Sequence, residues 1–307
     1  MRCAPTKLLL FATAIFTPAA FAQVTGFVVT SDASNAATAD RLHRIDLQSG
    51  AATMIGPLGP GFEDVEGLAF DQQSNLFGID DATKTLIAIG PTGRATALGA
   101  GLGNTRLAVG ESNAQDPSLA FNCRNELFVL AKNSRSLYRG SASTGVLDLI
   151  GSAGAAAGKI TDIAFRGEEL FGLGDDALFA ISTANGTTRQ IGAFASGTSF
   201  SEGGGLSVDS TGKLWAVAEV RKADLSLDQS AIYQIDPLSG VATRISSTLA
   251  GIESLSIGAT PCNLNLGGTP AALVSQVPAS SRSSILLLAG ILLLVGVVAG
   301  RRFGALG

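Results

Sequence analysis

One unit occurs five times along this chain, and that repetition constrains the fold more than any other feature. An apolar-small-apolar triplet stands before a turn at Leu68-Ala69-Phe70, Leu119-Ala120-Phe121, Ile163-Ala164-Phe165, Leu206-Ser207-Val208 and Leu255-Ser256-Ile257. Successive triplets begin 43 to 51 residues apart, at or near the period of propeller blades made of four short strands. After the first four triplets comes a segment with a fixed aromatic: Phe77 in LFGID, Phe128 in LFVLA, Phe171 in LFGLG and Trp215 in LWAVA. A third segment starts at Leu86, Leu137, Leu178 or Ile232. A glycine then follows (Gly93, Gly145, Gly186, Gly240), where a tight turn needs a left-handed residue. The fourth segment ends at Leu98-Gly99, Ile150-Gly151, Ile191-Gly192 or Arg244-Ile245. Apolar and polar residues alternate along these segments, as in half-buried strands.

The two ends of the repeat complement each other. The fifth triplet at Leu255 has no strands after it. Near the start, three segments lack a triplet: FVVT from Phe27, LHRID from Leu42, and ATMIG ending at Gly56, with Gly50 in the turn. Joined, they make one blade. The sequence therefore predicts an all-β fold, a five-bladed β-propeller over residues 23–262 closed by its N- and C-terminal strands so that no sheet edge stays open. A stacked β-solenoid is the alternative, and it leaves the complementary ends unexplained.

The phrases LHRIDLQSGAATMIG and VEGLAFDQQSNLFGID resemble the propeller repeats of exported bacterial proteins of the DUF4394 type, and more distantly YVTN and NHL repeats. The resemblance implies the propeller fold. It leaves activity open, because propellers serve as enzymes, lectins and scaffolds alike.

Both termini read as addresses. Arg2 and Lys7, an apolar stretch from Leu8 to Phe16 and the small-x-small site Ala20-Phe21-Ala22 predict a signal peptide over residues 1–22. An N-terminal membrane anchor is the alternative, disfavoured because the apolar run is short and Pro18 interrupts it. At the other end, residues 263–284 read as a flexible linker containing Val277-Pro278-Ala279-Ser280, residues 285–300 as a transmembrane helix and residues 301–307 as a basic cytoplasmic tail. This three-part ending resembles the PEP-CTERM and IPTL-CTERM sorting signals. That implies an exosortase-type membrane protease as a partner and display at the envelope or surface of a Gram-negative bacterium. A plain C-terminal membrane anchor is the alternative. Because the chain leaves the ring opposite the acidic loops, an anchored ring would turn those loops outward.

Charge and composition narrow the function classes. All 25 acidic residues lie between Asp32 and Glu253, whereas Arg2, Lys7, Arg282, Arg301 and Arg302 fall outside the repeat, so the repeat has sixteen bases against 25 acids. Nucleic-acid binding is excluded, since such a domain has no surplus cations for phosphates. One His and three Cys exclude multi-His metal centres and Cys-rich zinc modules. No nucleophile elbow, phosphate loop or HExxH string is present, and Gly203-Gly204-Gly205 precedes a strand instead of opening a helix.

What remains is acidic. Just before the five triplets stand Glu66, Asp116, Asp162, Glu202 and Glu253, and the loops after the second segments add Asp32, Asp80, Asp81, Asp175, Asp176 and Glu219. If the first strands line the channel, as in the propellers the chain resembles, one mouth is strongly negative. Glu66, Asp116, Asp162, Glu202 and Glu253 are thus candidate ligands for a cation, Ca²⁺ above all, because a hard cation takes several carboxylate oxygens. Ordinary solvating loop acids are the competing reading, since no contiguous calcium loop occurs. His43 reads as a strand surface residue and not as a general base. The recurring aromatics read as packing between sheets and not as a sugar platform. Cys123 and Cys262 are candidates for a disulfide, which requires the C-terminal segment to cross the ring's floor; two free thiols are the alternative. The leading expectation is a non-enzymatic, exported binding module for a protein, glycan or cation. The alternative is a secreted hydrolase or lactonase using a divalent metal at the mouth.

Overall fold

Each repeat folds as an antiparallel meander because its apolar positions fall on alternate sides of short extended segments. In the computed structural model, which describes residues 23–30, 41–107, 116–154, 160–201, 203–222, 224 and 226–264, five such meanders follow one another. The first is a three-stranded sheet of β1 (Thr25–Thr30), β2 (Arg41–Asp46) and β3 (Ala52–Pro57). Four four-stranded sheets follow. They are β4 (Val65–Phe70) to β5 (Leu76–Asp80), β6 (Thr85–Ile89) and β7 (Ala95–Ala97); then β8 (Pro117–Phe121), β9 (Leu127–Ala131), β10 (Ser136–Gly140) and β11 (Leu147–Ser152). The last two are β12 (Ile160–Arg166), β13 (Glu169–Gly174), β14 (Ala177–Ile181) and β15 (Thr188–Ala193), and β16 (Gly204–Val208), β17 (Leu214–Arg221), β18 (Leu227–Ile235) and β19 (Ala242–Ser247).

The three-stranded sheet is completed from the other end of the chain. Antiparallel bridges join Thr30 to Ile252 and Phe27 to Ser256, and Phe27 and Ser256 exchange backbone hydrogen bonds of 2.7 and 2.9 Å. The ring is thus a five-bladed β-propeller closed by its own ends. Its first strands leave a channel with only about 30 Å³ of free space between the triplets.

The fixed aromatics fasten neighbouring blades. Phe77 meets Phe121, Phe128 meets Phe165 and Phe27 meets Phe70, with ring centroids 5.1, 5.1 and 5.3 Å apart. In each pair the second-strand aromatic of one blade packs on the last residue of the next blade's triplet. Where that residue is aliphatic the pattern persists: Phe171 shares a core with Val208, and Trp215 shares one with Ile257. These contacts are the inter-blade packing predicted from the repeat. His43 differs from its expectation: it is 7% exposed within β2 and not a surface residue. It pairs across the sheet with Val28 and Met54, and burial, helped by Arg41, lowers its pKa.

Glycines at the ends of the fourth strands are explained at the rim. A Cβ on Gly56, Gly99, Gly151 or Gly192 would run into the backbone carbonyl of Thr92, Thr144, Asn185 or Ser239, each in the hairpin turn of the following blade. The rim is therefore a chain of backbone contacts that admits no side chain.

The C-terminal segment crosses the floor. Ile257 N donates to Ser207 Oγ (3.0 Å), Ala259 bridges Phe70, and Thr260 Oγ1 donates to the Phe121 carbonyl. A disulfide between Cys123 and Cys262, with Cα atoms 5.5 Å apart, then fastens the segment to the β8–β11 blade. Every described strand and closing contact lies within residues 23–264. Residues 1–22 and 265–307, with the expected signal peptide, most of the linker, the membrane helix and the basic tail, lie outside the described residues. Among the described residues no helix is long and apolar enough to cross a membrane.

Candidate functional site

The acids expected at the mouth divide into those that hold the structure together and those that face open space. Asp80 is fully buried; its Oδ1 accepts from the backbone N–H groups of Glu63 and Asp64 at 2.9 and 3.0 Å, and its Oδ2 accepts from Thr83. Asp81 is closed in an ion pair with Lys84 at 2.6 Å. Asp162 is 1% exposed, and its two oxygens accept from Ile163 N (2.8 Å) and Leu206 N (2.6 Å), tying β12 to β16 of the next blade. Burial pushes its carboxyl well above the ordinary range, against those two N–H donors. Glu219 is buried against Arg221 at 2.6 Å. Asp32 and Glu202 lie outside the described residues.

Three of the five candidate ligands do converge. Glu66, Asp116 and Glu253 line a hollow of about 200 Å³ with Lys132, Thr161, Gly203 and Gly204. Glu66 comes from β4, Glu253 from the closing strand and Asp116 from the residue before β8, so consecutive first strands around the channel each contribute one. The Asp116 carboxylate meets Lys132 Nζ at 3.4 Å. The Glu253 carboxyl lies beside that of Glu66 and disfavours its charged form. Burial drives Glu66 well above the usual carboxylate range, and Glu253, Asp64 and Asp116 add to the shift. Asp64, just outside the hollow's lining, is pushed up to about 7 by burial and by the charges of Glu253, Asp81, Asp80 and Asp116. Among the described residues no three His, Cys, Asp or Glu side chains gather closely enough to hold a metal ion as they stand.

Two site residues, Asp64 and Lys132, were missed from the sequence although each left a signal. In an extended segment residues two apart share a side, so placing Glu66 at the mouth carries Asp64 with it across the buried Val65. Lys132 stands where the corresponding loop position is Asp81, Asp175 or Glu219 in other blades. It is a base at a position that three other blades fill with an acid.

A carboxyl with a raised pKa binds its proton more tightly in the ring than in the unfolded chain. Stability from Asp64 and Glu66 is therefore complete below about pH 4 and is lost as pH rises through the raised values, about 7 for Asp64. Glu66→Gln, which keeps the size and the neutral charge, is expected to leave the melting temperature unchanged near pH 5. At pH 8 it should raise stability by about 1–2 kcal/mol, a modest figure because the hollow admits water. Melting curves of the two proteins across pH 5–8 check this; a loss of stability at pH 8 would contradict the assignment.

No family model matches the chain, and no curated protein matches it in sequence. Solved propellers are similar at low identity. A virginiamycin B lyase from Staphylococcus aureus shares 16% identity over 68% of this chain and 64% of its own, with a TM-score of 0.41. For a gluconolactonase from Xanthomonas campestris the values are 14%, 76%, 79% and 0.44, and for a chain of a nidogen/laminin complex 10%, 78%, 100% and 0.47. The three differ in activity, and scores of this size transfer none of it.

Proposed function

We propose that the protein is an exported, envelope-held binding module whose ligand presents a cationic group to the acidic mouth. The observation that carries this reading is the hollow itself. Three carboxylates from consecutive first strands surround about 200 Å³ of accessible space, and burial and the neighbouring acids favour the protonated form of Glu66, whose proton an arriving cation would displace. A hollow of this size is wider than one bare ion. An ammonium or guanidinium group, with its own hydrogen-bond donors, fills it without drawing the carboxylates together. Ca²⁺ would hold Glu66, Asp116 and Glu253 only if they closed on it. The Cys123–Cys262 disulfide supports an oxidising, extracytoplasmic location, as do the signal and sorting segments expected at the termini.

Cation binding is expected to strengthen as pH rises from 6 to 8, because the cation competes with the protons held by Glu66 and Asp64. Thermal melting of residues 23–264 with calcium chloride or with spermidine at pH 8 tests the reading. One of the two should raise the midpoint by about 3 °C or more at millimolar concentration, and Glu66→Gln should abolish the rise. No shift with either cation would overturn it.

A further inference from the structure

The repeat is broken in one hairpin. In four blades the turn between the third and fourth strands closes identically: Asp46, Ser141, Ser182 and Asp236 donate their N–H to the carbonyls of Ala51, Val146, Thr187 and Val241, five residues on. The first of those residues carries a side chain that caps or borders the turn, as where Asp46 Oδ1 accepts from Gln48 N and Ser49 N. Between β6 and β7 the turn is one residue shorter, with Gly90 N donating to the Arg94 carbonyl at 2.9 Å. The capping position is Gly90, which has no side chain to offer. The strand that follows, β7, has three residues, where β3, β11, β15 and β19 have six each.

The shortened hairpin leaves a trough of about 800 Å³ across the turn end of this blade. Apolar side chains from three blades line it, among them Phe27, Phe70, Leu76, Ile89 and Leu98, and the edge-to-face pair Phe27 and Phe70 forms part of its wall. Arg94 is its single charged lining residue. That arginine occupies the position after the turn glycine, where the other blades carry Ala51, Val146, Thr187 and Val241. It is exposed and makes no ion pair among the described residues, in a ring where acids outnumber bases. Pockets that hold small ligands have this volume range and this make-up, a mostly apolar wall with a few polar groups fixing orientation.

We infer that the trough binds an amphiphile with an apolar chain and one carboxylate, a fatty acid in chemical class, its chain along Phe27, Phe70 and Leu76 and its carboxylate on Arg94. The apolar wall supplies a driving force proportional to the chain length covered, and the guanidinium supplies a charge-assisted, bidentate partner that an uncharged or cationic head group lacks. The site is separate from the acidic mouth, so the two readings stand or fall independently.

Isothermal titration of residues 23–264 with sodium dodecanoate tests the inference, with uncharged dodecyl maltoside as the charge control on the unaltered ring. One saturable site for dodecanoate is expected, at least about tenfold tighter than for the uncharged amphiphile. Arg94→Glu should weaken it about tenfold or more, and Thr96→Trp, which fills the trough from the exposed face of β7, should remove it. Glu66→Gln should leave it unchanged. Absence of a saturable heat overturns the inference, as does equal affinity for both amphiphiles or unchanged binding in a folded Arg94→Glu ring. Self-association of the ring that Thr96→Trp abolishes would assign the trough to a second copy and overturn it as well.

Discussion

Replacing Gly205 with alanine is expected to open the ring. Gly205 lies in β16 beside the closing strand, and a Cβ there would collide with the backbone nitrogen of Leu255 and the carbonyl carbon of Ser254. Backbone cannot step aside as a flexible side chain would, and Leu255 is fully buried in the core that joins the last complete blade to the closing one. Moving that strand sacrifices its bridges to β1 and its side-chain packing together. A loss of about 4 kcal/mol or more is expected, among the largest for one methyl group. Gly258→Ala is the control, because a Cβ at Gly258 meets nothing within 4 Å and its backbone is not left-handed. Melting temperatures should fall by roughly 10 °C for Gly205→Ala and by less than about 2 °C for Gly258→Ala. Equal melting of the two would show that the closing strand is not seated as described.

Removing the disulfide is expected to have the second-largest effect. The bond joins residues 139 apart, and a loop of that length loses much chain entropy in the unfolded state when cross-linked, about 3–5 kcal/mol in the entropic account. Its position adds to this, since Cys262 ends the segment that crosses the floor and follows the closing strand. Cys123→Ser with Cys262→Ser should therefore lower the melting temperature by about 6–15 °C, and reductant should lower the parent similarly while leaving the double variant unaffected. Two alkylatable thiols in the non-reduced protein would contradict the bond.

The blades were legible because the repeat states each strand five times and a chance pattern does not. The closure was legible for a related reason: a triplet without successors and three segments without a triplet have one joint solution. The site was less legible. Counting acids near the first strands places Asp80, Asp81, Asp162 and Glu66 together, yet three of them are consumed by Thr83 and backbone N–H groups, by Lys84, and by Leu206 N. Sequence displays charges and not the partners that neutralise them. Glycines show the same limit. The physical reason for Gly204 and Gly205, room for Val217 and for the closing strand, exists only once the blades are assembled. The trough is similar: the missing residue between β6 and β7 is visible in the alignment of repeats, while its walls come from three separate blades.

Ring closure and the proposed cation seat meet at one pair of residues, since Glu66 belongs to β4 and Glu253 to the closing strand. The most direct test is to count protons released when a cation saturates residues 23–264 in weakly buffered solution at pH 7. About one proton per ring should leave, and none should leave in Glu66→Gln. Cation binding without proton release, or no binding at all, would contradict the assignment of Glu66 and Glu253 as the cation's seat.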